Sequence, residues 1–483
     1  MSLKLPVELL EEIFQYLDVE DMVNAWDAVG MDGGEVFWAK VCRRKGYIKL
    51  EGAEDSWRRV ILRELNWRSG HFVKRDCLLD KPKSVIHSMM WNSITLHHEH
   101  LLSSYTAKFR NSGLEIFNID DTPTLTQTIK NVTKFQVCGS KLLVSNQHIH
   151  RIYELKQGQY IEIYKTVHWR LFPSDISNDF FVFGNKKLKE YCVEIVDLTT
   201  FKEFCWSSKI FSKFTITAIS ISGPLLNFGY LVGNTYCRVR YSLKEELCLL
   251  EELMISNVSL DTHNFGLVTT NQLEVHRIGK NAVGNSSSNL FVIRAGGELL
   301  TTLWVSSLIA VVGEYIIYTC DSRAKLYIWT SSNPESPILD EPKEFTLNKN
   351  MDECIQKDIV CTNESHPLLV LTFPGHFKVI DIAKATHLYD VEFGTVHLDP
   401  KLDLFSDLEV HRYFVNQCFY VLYQVMKEKK PQSCSPANEC TRILEIENPS
   451  MCRINQPSIQ NESVPLVIYD FRNEVKPSTL GFS

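Results

Sequence analysis

Few residues in this chain are arranged for chemistry. His97-His98-Glu99-His100 gathers three imidazoles and a carboxylate in four positions, residue types that suit zinc binding or proton transfer. In an extended segment neighbouring side chains point to opposite faces, so adjacent histidines cannot easily converge on one ion. Exposed histidines at a strand edge are the expectation. Cys434, Cys440 and Cys452 lack a Cys-x-x-Cys pair and fall in a polar loop, so no metal is expected there either. There is no Gly-x-x-x-x-Gly-Lys-Ser/Thr phosphate loop, no Gly-x-Ser-x-Gly elbow and no compact pair of acids. The expectation is a protein with no catalytic residue, no metal and no cofactor.

The elements that would position any site are mostly strands. From residue 85 onward helical periodicity is nearly absent, and short β-rich runs recur between turn residues. They come in pairs: 101–106 with 114–118, 142–145 with 150–155, 180–183 with 191–198, and 228–232 with 236–243. The series continues with 265–269 and 273–278, 315–320 and 325–330, 368–373 and 377–382, and ends with 414–425 and 466–471 across an insertion. First-strand starts lie 37 to 53 residues apart, near the ~40–50 residues of a four-stranded propeller blade. The fold class is therefore mainly β, an eight-bladed β-propeller over 85–483, with seven blades as the competing count. The polar insertion at 427–464 and the shorter 279–289 read as loops leaving the blades.

With 483 residues, 44% hydrophobic, 23% charged and a net charge of −7, the chain has an ordinary soluble composition and lacks the basic balance of a general nucleic-acid binder. The basic stretch 40–75 holds Trp57 and Trp67, but at apolar positions of amphipathic segments, which favours packing over base stacking. The run 303–318 contains Glu314 and is too broken for a membrane span. Glu8, Glu11 and Glu12 do not fit a secretory signal. Fourteen cysteines scattered singly then read as reduced and buried, in cytoplasm or nucleus.

Before the strands stands a helical head. Leu9, Leu10, Ile13, Phe14 and Leu17 recur at helical spacing, with Glu8, Glu11, Glu12 and Gln15 opposite. Pro6 suits a first turn and Asp18 can cap a second helix, which carries Met22 and Trp26. Two glycines at 33–34 precede a third segment, 36–47. Some 45 residues of short helix make a thin core, suited either to capping the β body or to completing itself on a partner.

Leu5-Pro6-Val7-Glu8-Leu9-Leu10, with Ile13, Tyr16-Leu17-Asp18 and Asp21-Met22, resembles the opening of an F-box. Phe37-Trp38-Ala39-Lys40-Val41-Cys42-Arg43-Arg44 is similar to its closing helix. The Val-Cys-x-x-Trp stretch usual between them is replaced by Ala28 to Gly34. Asn66-Trp67-Arg68-Ser69-Gly70 resembles the segment joining helical linker to propeller in F-box proteins with WD repeats. Residues 315–332 resemble a WD repeat with Trp329-Thr330 in place of Trp-Asp, and Ile116-Phe117-Asn118, Ile195-Val196-Asp197 and Ile380-Asp381-Ile382 hold that place elsewhere.

The resemblance implies an F-box at 1–48, a helical linker at 49–84 and a substrate-receiving propeller. It implies a Skp-type adaptor as partner and, through it, cullin and RING subunits of a ubiquitin ligase. The adaptor-binding residues it implies are Leu5, Pro6, Leu9, Leu10, Ile13, Phe14, Leu17, Met22, Phe37 and Trp38, with one row of the first helix facing out and the other in. The chain would be a non-catalytic receptor that holds a protein substrate, phosphorylated or not, near a conjugating enzyme; nucleic acid and membrane are not expected partners. Arg238, Arg240, Arg277, Arg294 and Arg323 are candidates for reading a phosphate; the substrate-binding residues are otherwise unassigned. The rival reading is a scaffold propeller with a helical cap.

Overall fold

The computed structural model describes residues 5–49, 56–80, 94–106, 112–120, 122–146, 148–167, 173–187, 190–207, 214–260, 263–280, 287–320, 325–331, 342–347, 354, 356–361, 363, 365–373, 375–393, 410–417, 419–425 and 463–472. Among these residues are four helices, all within the first seventy positions, followed by thirty-two strands. The strands form eight antiparallel sheets of four. Most of the 427–464 insertion, the centre of the 279–289 loop, Asp321, Arg323, Cys434, Cys440 and Cys452 lie outside the described residues.

The eight sheets are the blades of a ring, numbered here along the chain from the strand Ile94–His97. Blades 1 to 7 each use four consecutive strands, over 94–130, 134–167, 174–206, 215–256, 263–305, 307–346 and 356–392. In seven blades the sequence-predicted pair is the second and third strand of the sheet; in blade 5 it is the first and second. Those strands are recognisable because they are buried on both faces: Lys141–Ser145, Tyr315–Thr319 and Leu368–Phe373 have no exposed residue. The 303–318 run proves to be the end of one strand, Leu299–Val305, and two paired strands, Ser307–Val312 and Tyr315–Thr319.

Blade 8 differs. Its inner three strands are Val410–Val415, Phe419–Val425 and Ser463–Asp470, and its outermost strand is Val73–Asp80. Residues 73–80, expected in the helical linker, thus belong to the propeller, paired in register from Val73 with Asp470 to Asp80 with Ser463. The helical part of the linker stops at Ser69. The charged letters of Val73-Lys74-Arg75-Asp76 hide the strand, since an outer strand needs only one apolar face.

No blade buries both faces alone, so the core is divided among the seams. Each of the eight seams between neighbouring blades has its own buried cluster, the largest gathering Val182, Ile195 and Trp206 of blade 3 with Phe228, Tyr230 and Val239 of blade 4. Each seam is also crossed by a hydrogen bond. His97 and His98 reach the Gly139 carbonyl, Ser140 N–H donates to Asn178, and Ile221 N–H donates to Asp175 at 2.8 Å. Ser220 meets Thr269 at 2.7 Å, and the Thr270 hydroxyl donates to the Gly313 carbonyl at 2.6 Å. Tyr315 reaches the Ser365 carbonyl, Gln417 the Cys361 carbonyl, and Asn416 the His98 carbonyl at 2.9 Å, which completes the circuit.

The closing seam carries an additional charge cluster. Asp470, 1% exposed, accepts from Arg75 of the outer strand at 3.2 Å and from Arg472 at 2.8 Å. Arg472 also pairs with Glu99 and Asp120 of blade 1, each at 2.7 Å. Removing one partner of a buried pair leaves charges without compensation and costs about 3–5 kcal/mol. Asp470→Ala is therefore expected to lower the stability read from a urea unfolding midpoint by that order. Lys202→Ala, which breaks an exposed pair with Glu246, should change it by less than about 1 kcal/mol.

Candidate functional site: the helical head and its anchor

Helix α1 runs Val7–Phe14, α2 Val19–Val29, α3 Glu35–Lys45 and α4 Trp57–Ser69. Pro6 is the residue just ahead of α1, where its missing N–H is harmless. Asp18 stands at the N-cap of α2 but makes no side-chain cap; Glu20 and Asp21 instead put carboxylates in the positive first turn. Left-handed Gly30 closes α2.

The first three helices share a core of Leu10, Phe14, Met22, Val23, Trp26, Phe37, Trp38, Val41 and Cys42, to which α4 adds Ile61. Its centre is aromatic. Phe14 meets Trp26 edge-on at 4.9 Å, Trp26 meets Phe37 at 5.7 Å, and Phe37 meets Trp38 at 5.1 Å. Trp38 donates its indole N–H to Asp32 at 2.9 Å. The 28–34 segment, where the F-box pattern is missing, closes against this core. A Cβ on Gly33 would lie 2.7 Å from Phe37 and 3.2 Å from Trp26, and Gly34 N–H donates to the Glu11 carboxylate at 2.8 Å. Burial pushes the Cys42 thiol up to about 12, as expected of an inert core cysteine.

The two rows of α1 separate. Leu10 and Phe14 face inward, while Leu9 and Ile13 are 49% and 52% exposed. Leu5 and Pro6 continue the outer row, Leu17 is half-buried, and Tyr16 lies on the same side, 83% exposed. Of the ten residues the resemblance implies, Leu5, Pro6, Leu9 and Ile13 thus lie open to solvent. Leu10, Phe14, Met22, Phe37 and Trp38 are interior. Tyr16 and the exposed Val36, neither among the ten, extend the apolar surface. Tyr16 falls at the helical spacing of Leu9 and Ile13, a signal available in the sequence.

Beside the outer row lies a cleft of about 320 Å³ between α1 and α3, lined by Glu8, Glu11, Glu12 and Gln15 on one wall and Val36, Lys40 and Arg44 on the other. Arg44 donates to the Gln15 carbonyl at 2.5 Å and ties the walls together.

Helix α4 belongs to both parts of the molecule. Its first half gives Ile61 to the head core, and its second half gives Trp67 to the seam between blades 7 and 8. Trp67 stacks on Phe471 with ring centres 3.7 Å apart and donates its indole N–H to the Gln417 carbonyl at 2.9 Å. Asn66 donates to the Phe471 carbonyl at 2.8 Å, and Tyr389 donates to the Trp67 carbonyl at 2.6 Å. Arg68 pairs with fully buried Asp381 at 2.7 Å, with Glu64, and with the His366 carbonyl at 2.8 Å. Burial opposes the Arg68 charge, but Glu64 and Asp381 raise its pKa overall. Burial lifts Glu64 to about 7, with Arg68 opposing. Gly70 turns left-handed against the Tyr389 ring, 3.2 Å from where a Cβ would sit. A second contact joins Asn363 to the Lys45 carbonyl at 3.1 Å. Two of the bases of 40–75, Arg68 and Arg75, are engaged in internal pairs with blades 7 and 8.

Of the candidate phosphate-reading arginines, two lie inside the fold. Arg238 and Arg240 are buried between blades 4 and 5, where Arg240 pairs with Glu274 at 2.6 Å and Arg238 with Glu252. Arg294 pairs with Glu298 at 2.9 Å. Arg277 is half-buried beside Gly266. A strand arginine can face a seam as readily as a surface, and composition does not separate the two. Among the described residues no group of three or more His, Cys, Asp or Glu is placed to hold a metal, and no helix is long and apolar enough to cross a membrane.

No protein-family model matches the chain, and no curated protein matches it. Solved structures similar to it include apo AztD from Citrobacter koseri, 9% identical over 66% of this chain and 95% of that one, with a TM-score of 0.38. The β-propeller domain of Cps50 (Swd1) from Myceliophteria thermophila is 11% identical over 72% and 97%, with a TM-score of 0.34. Hsv2p from Kluyveromyces lactis is 10% identical over 60% and 88%, also with a TM-score of 0.34. Likenesses this slight carry no argument, and the propeller stands on its own strand pairing.

Two substitutions separate the anchor from the head. Trp67→Ala removes a buried aromatic and should cost about 3–5 kcal/mol. Urea unfolding followed separately by head and propeller probes is expected to split from one transition into two. Gly33→Ala forces a Cβ into Phe37 and should cost about 1–3 kcal/mol. Hydrogen exchange should then quicken in α1–α3 and stay unchanged in blades 4–6.

Proposed function

We propose that this chain is a protein-binding receptor whose head docks on a Skp-type adaptor and whose propeller holds a protein substrate for ubiquitination by the attached cullin and RING subunits. The observation that carries the reading is the division of α1: one apolar row completes the head, and a second row, Leu5, Leu9, Ile13 and Tyr16, lies outside the head core and is exposed among the described residues. Monomeric proteins seldom leave contiguous apolar rows exposed without a partner. The resemblance of 5–22, 37–44 and 66–70 to an F-box and its linker supplies the partner's identity.

The eight-bladed ring suits a receptor because it holds loops on a rigid disc. The reading assigns the chain no bond-making step. Its contribution is proximity, holding a substrate where a separately bound conjugating enzyme can reach it. The Trp67 and Arg68 anchor supports this, because a head fixed to blades 7 and 8 holds the distance between the two bound partners constant. The rival scaffold reading shares the propeller but gives the outer row of α1 no adaptor.

Burying one such side chain contributes about 1.5–3 kcal/mol, so Leu9→Ala should weaken adaptor binding roughly tenfold or more. A combined Leu5→Ser, Leu9→Ser and Ile13→Ser variant is expected to lose adaptor recovery in a pull-down while keeping its circular dichroism, because none of the three lies in the head core. Unchanged recovery of the adaptor with that variant rules the reading out in favour of the scaffold.

A further inference from the structure

The His97-His98-Glu99-His100 turn plays no part in the head or its anchor. It joins the first two strands of blade 1, and against expectation its histidines are buried, at 7%, 8% and 4% exposure. His97 Nε2 donates to the Gly139 carbonyl at 2.6 Å, His98 Nε2 to the same carbonyl at 3.1 Å, and His100 Nε2 to the Gly158 carbonyl at 3.2 Å. A carbonyl only accepts, so all three Nε2 atoms carry hydrogen in the neutral rings. His97 Nδ1 takes the Tyr160 hydroxyl hydrogen. Nδ1 of His98 and of His100 is buried without a hydrogen-bond partner. A second proton on His98 would be buried without an acceptor, one on His100 would have only the His97 carbonyl, which burial outweighs, and one on His97 would displace that of Tyr160.

The turn sits where the ring closes. Blade 2 supplies Gly139, Gly158 and Tyr160. Blade 8 grips the other side through Asn416, which donates to the His98 carbonyl, and through Arg472, which pairs with Glu99 at 2.7 Å. From α4 the Arg63 charge faces His98. The rings of His97 and His98 lie 4.4 Å apart, so one protonated ring repels the next. Among the described residues no carboxylate is bonded to any of the three rings. Glu99, the carboxylate of the turn itself, is held by Arg472, which also pairs with Asp120 and Asp470.

We propose that this turn is an acid-sensitive latch: below about pH 6 the protons its histidines take up on release favour the state in which it has let go of blade 2, and the two seams flanking blade 1 open while the other blades hold. Burial, then the neighbouring His98, pushes the His97 ring down to about 3, and burial also lowers His98 and His100. For rings depressed in this way the stabilisation is complete above the ordinary value of about 6.5 and is lost as pH falls below it. One pH unit below that value, each ring freed on opening favours the open state by about tenfold.

Hydrogen exchange by mass spectrometry on the full chain, at pH 7.5 and 5.5 with intrinsic rates corrected, tests the latch. Peptides over 94–101 and 139–145 should lose protection about tenfold or more at pH 5.5, while 315–330 of blade 6 changes by less than about threefold. His98→Gln with His100→Gln keeps an N–H for each carbonyl and takes no proton, so its acid-induced loss should be at least about tenfold smaller. If the double variant does not fold at pH 7.5, His100→Gln alone is read the same way, with a smaller but still reduced loss. Equal loss in all blades, no loss at these seams, or the same acid response in the glutamine variant overturns the proposal.

Discussion

One short stretch, from Asn66 to Asp80, holds the molecule together. Its second part is the outer strand that completes blade 8, and its first part nails the head to the seam of blades 7 and 8. Each seam core is built from both neighbouring blades, so a blade without its outer strand leaves an edge unpaired. Here the edge is supplied by the chain that also carries the head, so ring closure and head placement are one event. Trp67 illustrates the coupling: it stacks on Phe471, the residue that follows the strand paired with Val73–Asp80.

The head follows a different logic. Its interior is small and aromatic, and it uses only one of the two apolar rows of α1. The acids that make the opening so hydrophilic in composition line the neighbouring cleft against α3, where Lys40 and Arg44 face them. The outer leucines are therefore bordered by charge, an arrangement that keeps the row soluble yet available.

How much of this was readable beforehand depended on burial on two faces. Strands such as Leu368–Phe373 announce themselves as unbroken apolar runs, and their spacing indicates eight blades. The strand Val73–Asp80 does not, because Lys74, Arg75 and Asp76 mask an edge strand that needs only one apolar side. The head was readable as two rows on α1, but which row faced out depended on contacts with Trp26 and Phe37 that lie far along the chain. Polar letters misled in the other direction. The 97–100 histidines look exposed, and Arg238 and Arg240 look available for a ligand, yet turn-to-turn packing and a buried Glu274 hold them inside. Asp381 and Asp470 sit at the ends of apolar strands; their use as buried acceptors for Arg68, Arg75 and Arg472 could be seen only once distant segments had met.

The pairing of Val73 with Asp470 places partners about four hundred residues apart. At translation rates of about 5–20 residues per second, roughly 20–80 s separate the synthesis of the two strands. Throughout that interval the head can complete its local core, whereas Val73–Asp80 waits as a bare edge. Such an edge is a template for wrong partners; its lysine, arginine and aspartates would discourage them until the last strand arrives.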